Sequence, residues 1–123
     1  MTYTPVGPEE EVVLRTTLAE SGWLAAVRVQ SDRQAPRWLL RALELTVDGT
    51  TVFRRGAADA LGLSMFEGAG YPLERRVVAN VGSVVELRVK NPGRVSFALA
   101  VVPVVRGSAA VEDPVTQHFR RWT

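Results

Sequence analysis

The chain predicts an all-β fold, an antiparallel β-sandwich of about eight strands, and three observations carry that reading. The first is alternation: Val85, Leu87 and Val89 alternate with Glu86, Arg88 and Lys90, the period of two that buries one strand face and wets the other. The second is turn chemistry, since Asp48-Gly49 and Asn91-Pro92-Gly93 stand between apolar runs and supply the positive φ and fixed φ that a reversal needs. The third is rhythm: short apolar runs recur with turn residues between them, as in a sandwich.

Taken in order, residues 1–11 (MTYTPVGPEEE) carry prolines, a glycine and a run of glutamates, and read as an extended, solvated arm that orders on a partner. Residues 12–18 suit a first strand, broken by Glu20-Ser21-Gly22 and paired as a hairpin with the amphipathic run 23–30, where Trp23, Ala25, Val27 and Val29 share a face. Residues 31–36 are a polar loop. The run 37–47 has helix-forming residues in its first half, but Leu43, Leu45 and Val47 alternate into Asp48-Gly49, so LELTVDGTTVF reads as a β-hairpin with residues 50–54 as its return strand.

Residues 56–72, rich in glycine, form the longest loop, with a helical turn expected over 57–61. A strand resumes at 73–78. Residues 81–107 then read as two strands joined by the Asn91-Pro92-Gly93 turn. In the second, Val95, Phe97, Leu99, Val101 and Val105 fill one face while Ser96, Ala98, Ala100, Val102 and Val104 make the other face small and largely apolar, so both faces want cover. Pro103 has no N–H for a ladder and marks an edge, a bulge or a change of sheet. The organisation is therefore an arm (1–11), a sandwich (12–107) and a tail (108–123), in which Phe119 and Trp122 would share a face of a short helical turn.

One core fits 123 residues. With no cysteine, thiolate metal sites, disulfides and cysteine nucleophiles are excluded. No signal peptide is visible, and no apolar run approaches the ~18 residues that span a bilayer, so no membrane partner is expected. The formal charge is +2, and Lys90 is the sole lysine among the basic residues. Acids are scattered between the arginines, which disfavours nucleic acid as a partner.

His118 is the only histidine, and no P-loop or nucleophile elbow is present. Glu44, Glu74 and Glu86 fall on polar strand faces near arginines. The expectation is a protein without enzymatic activity, catalytic residues, cofactor or metal. The arginine pairs 54–55, 75–76 and 120–121 read as strand-end or tail pairs with both heads in water. Trp23 and Trp38 read as core residues rather than a sugar platform. The candidate partner-binding residues are Met65, Phe66 and Tyr71 on the long loop, with Phe119 and Trp122 on the tail. The bland alternative for the loop residues is a plug in the open end of the sandwich.

In its strand rhythm, glycine-started strand and valine-rich final strand, the segment PLERRVVANVGSVVELRVKNPGRVSFALAVVPVVRG resembles the C-terminal half of small jelly-roll proteins from phage virions, of the capsid decoration or cement type. The likeness spans residues 12–106 and implies a jelly-roll rather than an immunoglobulin-like strand order. It implies a homo-oligomer, a trimer by analogy, that binds a larger assembly such as a capsid through apolar faces and terminal arms. The location implied is the virion for a phage-encoded chain, and otherwise the cytoplasm. Copper-binding cupredoxins open a strand similarly with Gly82 and Asn91, but a chain with no cysteine and one histidine lacks their ligands. The alternative reading is a monomeric β-sandwich module that binds carbohydrate or a protein ligand through the 56–72 loop.

Overall fold

The structure, a computed structural model, describes residues 2–32 and 39–107. Trp38, the tail with His118, Phe119 and Trp122, and the pair Arg120-Arg121 lie outside the described residues. Two antiparallel sheets pack as a sandwich. The first holds β1 (Thr4–Val6), β9 (Phe97–Arg106), β3 (Gly22–Ser31) and β7 (Tyr71–Ala79), in that order. The second holds β2 (Glu11–Thr17), β8 (Val84–Lys90), β4 (Arg41–Val47) and β5 (Thr50–Arg54), with the short β6 (Leu61–Gly62) beside the start of β4. Pairing is nested: β1 with β9, β2 with β8, β3 with β7, and β4 with β5 at the centre.

The alternation read from the sequence builds the core. Leu14, Leu87 and Leu45 lie opposite one another across three strands of the second sheet, and Val27, Val29, Leu99 and Val101 face them from the first. All are buried. The Asp48-Gly49 hairpin forms as expected, with φ of 50° and 79° at its two central residues, the left-handed pair of a type I′ turn.

Three local expectations change. The runs 12–18 and 23–30 do not pair as a hairpin, and neither do the two arms around Asn91-Pro92-Gly93, because in each case the chain crosses from one sheet to the other. A strand with one apolar face can turn back beside its neighbour or arch over the core, and both keep that face inside. In β3 the register shifts between Leu24 and Ala26, so Leu24 is inward with Val27 and Val29, and the shared face expected for Trp23 and Ala25 is lost at the bulge. The helical turn lies at Leu63–Phe66 rather than 57–61.

The N-terminal arm also differs from expectation. Thr4–Val6 is an edge strand, and Val6 is wholly buried in the core. One apolar side chain inserted beside Phe97, together with three backbone partners on β9, ties down a segment whose composition alone reads as solvated. Val95 falls before β9 begins and is exposed, while Pro103 lies where β9 has β3 on one side and β1, which reaches only Phe97–Leu99, on the other. No helix among the described residues is long and apolar enough to cross a membrane.

Candidate functional site

The two outer faces of the sandwich differ in kind. On the second sheet, Val13, Arg88, Glu44 and Arg54 lie opposite one another across four strands, and Arg15, Glu86, Thr46 and Thr51 form the next row. Opposite charges thus stand side by side, the cross-strand arrangement that favours a water-facing sheet. Arg54 Nε donates to Glu44 Oε2 at 2.6 Å, and Arg88 Nε stands 3.2 Å from Glu11 Oε1 without the alignment of a hydrogen bond. Arg54 in the first pair and both residues of the second are open to solvent, so the pairs contribute little stability.

On the outer face of the first sheet the β9 row is apolar. Ala26 pairs with Val104, Arg28 with Val102, Gln30 with Ala100, and Pro5 with Ala98, which puts four consecutive outward positions of β9 in small or β-branched residues. Ala100 is only 1% exposed, and Val102 and Val104 are half-buried. Arg106 stands opposite Trp23 at one end of this face, and Arg28 lies nearer its middle. Its stem runs past Gly70, where a Cβ would stand 2.6 Å from Arg28 Cγ and where φ of 90° already favours glycine. Its Nε–H is buried with no acceptor among the described residues.

The 56–72 loop resolves the sequence candidates unequally. Phe66 is fully buried, so it is a core plug and does not offer itself to a partner. Its ring stacks on Tyr71 with centroids 5.1 Å apart, and Phe53 closes the cluster at 5.4 Å from Tyr71. Tyr71 opens β7 rather than sitting in the loop, and is partly buried. Met65 is half exposed and is the large apolar side chain that the loop leaves to solvent. Arg54 and Arg55 both reach water.

Beside this cluster, a cleft of about 620 Å³ runs between β5 and β7, the strands that end the two sheets among the described residues. Val47, Val52, Leu73 and Val77 give it an apolar floor, with Tyr71 and Arg55 among its walls. The pairing of β7 with β3 jumps from Pro72 to Val77 while β3 advances only from Ala26 to Leu24, so residues 73–76 leave the β3 ladder at the cleft. Sequence reasoning missed this cleft. Its signal was the sequence LERRVV, read only as a regular strand.

At the end of the sandwich nearest Val77, the β4–β5 hairpin is tied to the start of β8. Asp48 Oδ1 accepts from the Val84 N–H at 2.8 Å, and its own N–H donates to Val84 O at 2.8 Å. The Val84 bond, followed by one from Ser83, holds the Asp48 carboxyl below its ordinary value of 3.8. At the opposite end, Asn91 is 1% exposed; its Nδ2 donates to Gly7 O at 3.1 Å and Val95 O at 2.7 Å, and its Oδ1 accepts from the Gly93 N–H at 3.0 Å. These are structural roles, and they hold the arches that carry the chain between sheets.

No protein-family model matches the chain, and its sequence matches none of the curated proteins.

Proposed function

We propose that this chain is a non-enzymatic assembly protein that joins copies of itself through the outer face of β1, β9, β3 and β7, and as an oligomer binds a larger protein shell in the manner of a decoration or cement protein. The observation that carries the reading is the contrast between a charge-laddered outer face on one sheet and an apolar one on the other. Monomeric sandwiches keep outer faces polar, whereas a face of alanine and valine gains by being covered. The orphaned Arg28 Nε–H fits the same role, because a carboxylate or carbonyl from a neighbour would supply its acceptor.

The nested pairing of first strand with last, second with next to last and so inward supports a jelly-roll order, the fold of the shell proteins that the sequence resembles. The shell itself comes from that resemblance. Replacing Val102 and Val104 together by Asp tests the interface. Sedimentation should change from an oligomer to a monomer with the β circular-dichroism spectrum kept, and an unchanged oligomer would remove this face from the account.

A further inference from the structure

The cleft between β5 and β7 has the size of a small-molecule site, since its volume of about 620 Å³ falls within the ~300–1,000 Å³ that such sites span. Its length follows from register. Tyr71 and Val77 line it and stand opposite Val27 and Leu24, three residues apart on β3, so it runs about 10 Å along the sheet. A peptide strand would need a regular edge on β7, and residues 73–76 leave the ladder there, so the cleft suits a small molecule better. Val47, Val52, Leu73 and Val77 offer that molecule an apolar bed.

The polar groups fall at opposite ends. Tyr71 packs on Phe53 at 5.4 Å, and Arg55 follows Phe53 by two positions, so the phenol and the guanidinium belong to the same end of the cleft. Asp48 belongs to the other end, beside the pair of Val47 with Thr50. Neither the Arg55 guanidinium nor the Tyr71 hydroxyl has a hydrogen-bond or ion-pair partner among the described residues, whereas the Asp48 carboxylate already accepts from the Val84 N–H. This charge pattern complements an anion in one orientation, its head at Arg55 and Tyr71 and its apolar body running toward Val77, away from the repulsion of Asp48. A carboxylate fits that head position, because it accepts from a guanidinium and a phenol at once.

We infer that this cleft binds a small carboxylate with an apolar body, the chemical class of a medium-chain fatty acid, with its head on Arg55 and Tyr71. The reading does not depend on oligomerisation, because β3 separates β7 from β9 and its outer face. Octanoate and octanol, titrated separately into the isotopically labelled full chain and followed by amide shifts in nuclear magnetic resonance, test it. Octanoate should saturate one site per chain with a Kd of about 1 mM or tighter, shifting Val52, Leu73 and Val77 and leaving Val102 and Val104 in place. Octanol, which keeps the tail and loses the charge, should bind about tenfold more weakly. Arg55→Gln should weaken octanoate about tenfold and leave octanol unchanged. Arg55 is exposed, so this variant keeps the fold. Shifts centred on β9, equal affinity for octanoate and octanol, or octanoate binding unchanged in Arg55→Gln would each overturn the inference. So would the absence of any shift at several millimolar octanoate.

Discussion

Asn91 shows how much one polar side chain holds. It is buried, bonded to the carbonyls of Gly7 and Val95, and it accepts from Gly93, so it fixes the arch from β8 to β9 and secures the strand that starts the chain. Truncation removes the bonds to Val95 O and Gly7 O, the latter keeping the Glu10 N–H, and leaves the Gly93 N–H without its acceptor, so Asn91→Ala should lower unfolding stability by about 1–3 kcal/mol, measured in urea. Phe66→Ala should cost more, about 3–5 kcal/mol, because it empties the centre of an aromatic cluster. Asp48 gives a pH signature. Its carboxyl is lowered in the fold, so its contribution is present above 3.8 and is lost as pH falls through the lowered value. The stability difference between the native chain and Asp48→Asn, which tolerates the same left-handed φ, should therefore shrink below pH 4 and stay constant above pH 5, by denaturant titration across pH. None of these roles was visible in sequence: Asn91 and Gly7 are 84 positions apart, and a turn asparagine reads the same whether its side chain is solvated or buried.

The strands themselves were largely legible, because alternation reports a face whichever strand lies alongside. Leu43 to Val47 and Val85 to Val89 alternate in sequence and bury the expected side chains. What alternation does not encode is the neighbour. A hairpin and an arch present the same apolar face to the core, so β2 to β3 and β8 to β9 read as hairpins though they change sheets. Bulges are equally hidden, since one extra residue at Ala25 inverts the faces before it without altering composition. Close packing is testable where β3 begins. A Cβ on Gly22 would stand 2.5 Å from Gly107 O and 2.6 Å from Val105 Cγ1, neither of which is the far end of a long flexible side chain. Gly22→Ala should push β9 away from β3 at this end and destabilise by about 1–3 kcal/mol, with faster amide exchange confined to residues 104–106.

At the scale of the molecule, the sandwich is asymmetric: one outer face is a lattice of paired charges, and on the other β9 presents a run of alanine and valine with Arg28 and Gln30 beside it on β3. The sequence carried half of this, in the doubly apolar run from Ser96 to Val105. It did not carry the other half, because the charge ladder exists only once Val13, Arg88, Glu44 and Arg54 are brought side by side from four strands. The loop candidates fared differently for the same reason, since Phe66 is drawn into the core by Phe53 and Tyr71 and only Met65 is left outside. The claim that the apolar face joins copies of the chain is tested most directly by absolute mass from light scattering after size exclusion, over a dilution series. The account predicts a constant multiple of 13.5 kDa at the higher concentrations, giving way to monomer only on strong dilution. A mass of 13.5 kDa at every concentration would contradict it.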